Sequence, residues 1–178
     1  MKASVATAVL LAALLLSQAA RAQQVTKPEV AGITNFARLE TTIACGGATK
    51  AEALPAIKKM GFAAVINLRQ ASEDGANVPE AQATAKDLGL NYVHIPFNGQ
   101  KPDPAVADKF IEAITAPGNT PAYVHCAGGS RAASMWMIKR MVVDKWDAER
   151  AGVEASALGL TSAPLKQFAL DYAASHKK

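Results

Sequence analysis

From Thr41 to the end of the chain, short apolar runs alternate with segments of helical pattern. Two strands of one sheet that are joined by a helix run parallel to each other, and the crossover between them is right-handed in nearly all proteins. We therefore predict an α/β fold, a three-layer sandwich in which helices flank a central, mainly parallel sheet. The predicted strands are 42–45, 63–68, 92–96 and 122–125, and the predicted helices are 49–60, 79–88, 103–115, 131–143, 147–158 and 162–175.

The amino-acid composition is ordinary for a compact domain. Of the 178 residues, 50% are hydrophobic and 19% are charged. A chain with this balance buries a core, which excludes the disordered, collagen-like and disulfide-scaffold classes. A nucleic-acid groove needs clustered basic residues and stacking rings. Because the aromatic content is 6% and the net charge is +4, no nucleic-acid partner is predicted.

The first 22 residues have the three-part form of a secretory signal peptide. Met1-Lys2 is a short basic start, residues 5–16 are all Val, Ala, Thr or Leu, and Ala20-Arg21-Ala22 offers the small residues that signal peptidase recognises. The apolar run is too short for a transmembrane helix. We expect residues 1–22 to direct secretion across the inner membrane to the periplasm. Cleavage before Gln23 would leave no stable membrane insertion.

The rest of the chain is predicted to divide near residue 40. Residues 23–40 form an N-terminal arm, irregular over 23–34 because Pro28 and Gly32 interrupt any regular pattern. Residues 41–178 form one domain, which is a common domain size.

The first predicted helix carries two conflicting signals. Thr49 and Glu52 have the spacing of a capping box, which starts a helix. Pro55 lies inside the same segment and favours a kink or a later start.

The segment around Cys126 carries the chemistry. An apolar strand leads directly into a small, glycine-rich loop, and a helical pattern begins at Arg131. Such a loop can present its backbone N–H groups to an anion above the N-terminus of the helix, and the same positive field favours a nucleophilic thiolate at Cys126. The planar guanidinium of Arg131 matches phosphate oxygens. The predicted anion-binding residues are Ala127, Gly128, Gly129, Ser130 and Arg131.

His125-Cys126 and Arg131 resemble the signature loop of the cysteine-dependent phosphatases of the tyrosine and dual-specificity type. More closely, the chain from about Ile33 to Ala173 resembles the beta-lactamase-hydrolase-like phosphatase family. The features that carry this resemblance are Gly46-Gly47, Gly61-Phe62, the run 65–69, Ile95-Pro96, the His-Cys loop, Trp146, Gly159-Leu160 and Asp171-Tyr172.

The resemblance implies a phosphatase-like domain over 41–178 and a mechanism for it. Cys126 would attack phosphorus and form a cysteinyl-phosphate, while Arg131 and the loop amides hold the oxygens of the transition state. His125 would support the loop and the thiolate. The expected partner is a phosphorylated substrate, either a small molecule or a protein. No cofactor is expected, and the three His and two Cys residues show no zinc-binding spacing.

A carboxylic acid would have to protonate the leaving oxygen, and Asp103 is our choice for it. The pair Asp103-Pro104 also has the form of a helix N-cap and first turn, which explains this aspartate without catalysis. Glu73 and Asp74 are the alternatives, because loops that follow parallel strands gather around the site. Many relatives have their acid near the position of Asn98.

Two departures from the phosphatase pattern keep other functions open. Four residues separate Cys126 from Arg131, a spacing that rhodaneses share. Ala132 stands where a hydroxyl residue often assists departure of the thiolate, and Ser130 or Ser134 would have to replace it. The alternatives are a rhodanese-like sulfurtransferase that uses a Cys126 persulfide and a non-catalytic oxyanion-binding module.

Cys45 is the only other cysteine. In an oxidising compartment, a Cys45–Cys126 disulfide would protect the nucleophile and block activity until it is reduced. A buried, free Cys45 is the alternative. Two free thiols in protein isolated without reductant, counted by mass spectrometry, would contradict the disulfide.

Overall fold

The structure is a computed structural model that describes residues 24–176. The predicted signal peptide over residues 1–22 lies outside the described residues. Within 24–176, none of the helices has the length and apolar character needed to span a membrane.

Six strands form one sheet in the order β1-β2-β3-β6-β4-β5. Strands β3, β6, β4 and β5 are parallel, whereas β1 and β2 form an antiparallel edge beside β3. The mainly parallel sheet is therefore confirmed. The strands are β1 (Val25–Thr26), β2 (Ala37–Leu39), β3 (Ile43–Gly46), β4 (Ala64–Asn67), β5 (Asn91–His94) and β6 (Ala122–His125).

Helices cover both faces of the sheet, and this confirms the three-layer sandwich. One core cluster joins the sheet to α3, α4, α5 and α6, and a smaller cluster joins its other face to α1 and α2. Strands β3, β4 and β6 are buried along their whole length, as expected where both faces of a parallel sheet are covered. The helices are α1 (Leu54–Lys59), α2 (Val78–Asp87), α3 (Pro104–Thr115), α4 (Ser130–Val142), α5 (Ala148–Ala157) and α6 (Ala163–Ser175).

The predicted capping box at Thr49 is wrong. The Thr49 hydroxyl contacts the Tyr123 hydroxyl at 2.6 Å and donates to the Gly47 carbonyl at 3.0 Å. A 3₁₀ turn, Ala51–Ala53, follows, and α1 begins at Leu54 with Pro55 in its first turn. The later start that Pro55 favoured is thus confirmed, because proline lacks only an N–H that the first turn does not use.

The N-terminal arm contains regular structure that the sequence did not predict. Val25–Thr26 pairs with β2, and β2 pairs with β3, so the sheet begins before residue 41. The arm was predicted to be irregular over 23–34, and β1 lies within that range.

Candidate active site

Cys126 lies directly after β6, at the edge where the parallel strands end. Its side chain belongs to the larger core cluster, and the residue is 1% exposed. Its N–H donates to the Gly46 carbonyl at 3.1 Å, which continues the β3–β6 pairing. The Gly129 N–H in turn donates to Cys126 Sγ at 3.1 Å. The sulfur is therefore held by a backbone amide at the N-terminus of α4, where the helix field favours negative charge.

The carbonyl groups of this loop are held from outside by neighbouring loops. The Ala127 carbonyl accepts from the Ala48 N–H at 2.8 Å. The Gly128 carbonyl accepts from Asn35 Nδ2 at 3.1 Å. Sequence reasoning did not identify Asn35, because it lies 93 residues from Gly128 and no local pattern marks such a contact.

Arg131 extends from α4 and forms an ion pair with Glu73. Nη1 and Nη2 donate to Glu73 Oε1 and Oε2 at 2.6 and 2.8 Å. Nη1 also donates to the Phe97 carbonyl at 2.6 Å. Burial acts to lower the Arg131 pKa, but the hydrogen bonds that Arg131 donates to Glu73 outweigh it and, together with the Cys126 side chain, raise this pKa. Arg131 is therefore fixed as a cation next to the cysteine.

Both carboxylate oxygens of Glu73 accept hydrogen bonds. In addition to Arg131, it accepts from the Gln70 N–H at 2.8 Å and from Arg69 Nε at 3.3 Å. Its pKa is lowered to about 2, mainly by the hydrogen bonds from Arg131 and against the effect of burial. A carboxyl group with this pKa is ionised at neutral pH and has no proton to give. The geometry therefore favours Glu73 as a partner that orients Arg131 over Glu73 as the general acid.

The other acid candidates lie in loops at the same edge. Asp103 caps α3, with Oδ1 accepting from the Ala105 N–H at 2.9 Å, so the predicted N-cap is confirmed. Asn98 Oδ1 accepts from the Gln100 N–H at 2.9 Å. The Asp74 carbonyl binds the Arg69 guanidinium. The choice of Asp103 as the acid stays a prediction.

The two candidate hydroxyl groups are engaged elsewhere. Ser130 Oγ donates to the Gly159 carbonyl at 3.1 Å and accepts from the Thr161 N–H at 3.0 Å, which ties the loop to the segment between α5 and α6. Ser134 Oγ donates to the Arg131 carbonyl at 2.9 Å.

His125 is buried beneath the loop and is neutral. Its ring stacks on Tyr123 at 5.5 Å between centroids, and its carbonyl accepts from the Leu68 N–H at 2.8 Å. Burial and the charge of Arg69 lower its pKa to about 3, although contacts with the backbone of Cys126 and Gly47 oppose this. His125 therefore supports the strand end without placing a positive charge beside the thiol.

Cys45 lies on the strand next to Cys126. It is paired with Val124, two residues before Cys126. Alternate residues of a strand point to the same face, and both cysteines belong to one core cluster as free, buried thiols. Burial raises the pKa of Cys45 well above its usual range, and the charge of Cys126 adds to this. The proposed disulfide stays a prediction.

An open cleft lies beside the loop. An open cleft of about 930 Å³ borders Gly128, between the segment 27–37 and the residues Leu158, Gly159 and Thr161. Within residues 24–176, no group of three or more His, Cys, Asp or Glu side chains is arranged to hold a metal ion.

One strand–loop–helix unit carries Cys126, the glycine-rich loop and Arg131, and this arrangement is found in the cysteine-dependent phosphatases of the dual-specificity class. Residues 17–169 match the family model described as PTP-NADK, a DSP-PTPase phosphatase fused to NAD+ kinase, and the chain belongs to that family.

Individual relatives agree with this assignment. A beta-lactamase hydrolase-like protein of Agrobacterium fabrum is 26% identical over 106 residues, which are 57% of this chain and 24% of that protein. The chain thus matches about a quarter of the length of this relative. The P. aeruginosa protein TpbA has the same fold, with a TM-score of 0.64 at 16% identity, over 88% of this chain and 92% of that one.

The core catalytic domain of the PP-IP phosphatase SIW14 from S. cerevisiae also has this fold, with a TM-score of 0.64 at 18% identity, over 84% of this chain and 88% of that one. The predicted resemblance to beta-lactamase-hydrolase-like and dual-specificity phosphatases is confirmed.

Proposed function

We propose that this phosphatase hydrolyses phosphomonoesters through a cysteinyl-phosphate on Cys126. The observation that carries the proposal is the hydrogen bond from the Gly129 N–H to Cys126 Sγ, 3.1 Å long, at the N-terminus of the helix that also carries Arg131. Donors arranged before the reaction begins stabilise charge that develops in the transition state.

In the first step, the Cys126 thiolate attacks phosphorus, so that an S–P bond forms as the bond to the ester oxygen breaks. The loop amides over 127–130 and the Arg131 guanidinium hold the non-bridging oxygens. The leaving oxygen takes a proton from an acid, for which we propose Asp103, with Asp74 as the alternative. Water then attacks the phosphorus and gives a proton to the carboxylate that the acid became in the first step. The S–P bond breaks, which releases inorganic phosphate and returns the thiolate.

The substrate class follows from the chemistry of the loop, which recognises a phosphate group. TpbA has been crystallised with phosphotyrosine, and SIW14 is described as a PP-IP phosphatase. For this chain we propose a phosphorylated small molecule or protein. The open cleft that borders the loop at Gly128 offers room for the part of a substrate that lies beyond its phosphate group.

The proposal is tested with reduced protein and an aryl phosphate. Cys126→Ser is expected to abolish hydrolysis, whereas Cys45→Ala, which removes the other thiol, is expected to retain it under the same reducing conditions. Mass spectrometry during turnover should show one added phosphate on the Cys126 peptide. Hydrolysis that survives in Cys126→Ser would rule out the mechanism.

A sulfurtransferase is the second candidate, because four residues separate Cys126 from Arg131. It predicts a persulfide on Cys126 and turnover of thiosulfate, without hydrolysis of aryl phosphates. Binding of phosphate without either activity would instead favour the non-catalytic oxyanion-binding module.

We also propose export to the periplasm, supported by the sequence pattern of residues 1–22. N-terminal sequencing of the protein from a periplasmic fraction should begin at Gln23. A mature protein that begins at Met1 would contradict this proposal.

A further inference from the structure

The peptide between Gly128 and Gly129 has the fewest steric constraints in the loop around Cys126. Glycine lacks a Cβ atom, so a peptide flanked by two glycines can turn over with little resistance. A trans peptide points its N–H away from its C=O. In the structure, the Gly129 N–H donates to Cys126 Sγ at 3.1 Å, with Gly129 at a φ of 104°. The orientation of this one peptide therefore decides whether the sulfur receives the hydrogen bond.

Asn35 holds the other end of the same peptide. Its Nδ2 donates to the Gly128 carbonyl at 3.1 Å. One peptide unit is thus fixed at both ends, by a side-chain amide on its oxygen and by the cysteine sulfur on its hydrogen. A donor on the carbonyl also polarises the peptide and strengthens the hydrogen bond that its N–H makes.

The backbone of Asn35 is anchored independently of its side chain. The residue has a φ of 51°, which asparagine and glycine tolerate better than other residues do. On one side, the Thr34 carbonyl accepts from the Gly47 N–H at 2.7 Å. On the other side, the buried Phe36 ring lies 5.8 Å from that of Tyr123. The Asn35 side chain can therefore be changed while its loop stays in place.

We infer that Asn35 is a positioning residue whose side-chain amide sets the direction of the Gly128–Gly129 peptide. In that direction the Gly129 N–H stabilises the anionic sulfur of Cys126 and faces the charge that develops during attack. Asn35 acts through the loop and does not touch the sulfur. Its effect on turnover rests on the proposed function, whereas its effect on the ionisation of Cys126 does not.

Asn35→Gly is the test variant, because glycine accepts the same backbone conformation and removes only the amide. Asn35→Asp keeps the size of the side chain but places an acceptor against the Gly128 carbonyl. The thiolate of Cys126 is titrated by its ultraviolet absorbance, with Cys126→Ser as the blank. Both variants should move the titration midpoint to higher pH, Asn35→Asp further than Asn35→Gly.

In Asn35→Gly, kcat/KM for an aryl phosphate should fall about 10-fold, because the loss of one hydrogen bond of this kind changes the barrier by that amount. The midpoint of thermal unfolding should not be lowered.

Two results would overturn the inference. One is a wild-type titration midpoint and wild-type kcat/KM in Asn35→Gly. The other is a loss of activity that follows a loss of thermal stability, with the titration unchanged. A shifted titration in a protein that hydrolyses no aryl phosphate would support the role of Asn35 and contradict the proposed function, so the two failures are distinguishable.

Discussion

In the proposed mechanism, the Arg131 guanidinium contacts both a carboxylate and a substrate. Nη1 and Nη2 each donate to Glu73, and Nη1 donates to the Phe97 carbonyl as well. A guanidinium carries five donors in one plane. With the bond from Nη1 to the Leu68 carbonyl at 3.3 Å, these contacts do not use Nε or the second hydrogen of Nη2. Those two donors interact with the Cys126 side chain or with a substrate, and they have the fork geometry that binds two phosphate oxygens. Glu73 therefore orients Arg131 without using the edge that a phosphate needs.

Glu73→Gln should lower kcat/KM for aryl phosphates about 10- to 100-fold. The amide replaces one acceptor with a donor that faces the guanidinium, so Arg131 loses a charge-assisted hydrogen bond and its fixed orientation. Inorganic phosphate, measured as a competitive inhibitor, should bind more weakly for the same reason.

A comparison of leaving groups separates this orienting role from acid catalysis. Loss of the general acid slows poor leaving groups far more than good ones, because only poor ones need the proton. Glu73→Gln should slow aryl phosphates with good and poor leaving groups equally. Asp103→Asn, the variant of the proposed acid, should slow the poor ones selectively. A selective effect in Glu73→Gln would contradict the orienting role.

At the scale of elements, the unit β6–loop–α4 could be predicted from the sequence because its signals are local. An apolar strand, a glycine pair and the start of a helix stand within a dozen residues, and the structure places each where it was expected. The contact of Asn35 with this unit could not be predicted, because it joins residues far apart in the chain. Glu73 was predicted to lie near the site, but its ion pair with Arg131 was not predicted. The capping box at Thr49 failed for the related reason that a tertiary contact with Tyr123 competes for its hydroxyl.

The close packing of Gly46 in β3 against Tyr123 in β6 predicts that a larger residue at position 46 destabilises the fold. A methyl group on Gly46 would lie 2.2 Å from the Tyr123 hydroxyl oxygen and 2.9 Å from its ring. The ring cannot move away freely, because it is fully buried and its hydroxyl contacts Thr49. Gly46→Ala should therefore lower the free energy of unfolding by about 2–3 kcal/mol, as measured by urea denaturation.

Two further variants test the cause. Gly128→Ala places its methyl group where no heavy atom lies within 4 Å, and its free energy of unfolding should stay within about 0.5 kcal/mol of wild type. Tyr123→Phe combined with Gly46→Ala removes the shortest contact and should be less destabilised than the sum of the single variants. Additive effects would exclude the clash as the cause.

At the scale of the whole molecule, the layers could be predicted but the edge of the sheet could not. The four parallel strands alternate with helices, and this alternation is visible along the chain. Strands β1 and β2 have two and three residues, too few for the period of two that identifies a strand. The sheet so formed brings His125 of β6 between Gly46 of β3 and Asn67 of β4, where three parallel strands end at the candidate site.

The burial of His125 should make the whole domain sensitive to mild acid. Its pKa is about 3 in the folded chain against 6.5 when it is exposed, so the unfolded chain binds the proton first as the pH falls. The stabilisation is complete above pH 6.5 and is lost progressively below it, and by pH 4.5 the free energy of unfolding should have fallen by about 3 kcal/mol. Glu73 contributes only below this range, because its pKa moves from 4.5 to about 2.

Urea denaturation at several pH values tests this. The free energy of unfolding of the wild type should fall with pH between 6.5 and 4.5. This fall should be smaller in His125→Gln and should persist in His176→Gln, a matched change at an exposed imidazole. An equal slope in His125→Gln would assign the acid sensitivity to other groups.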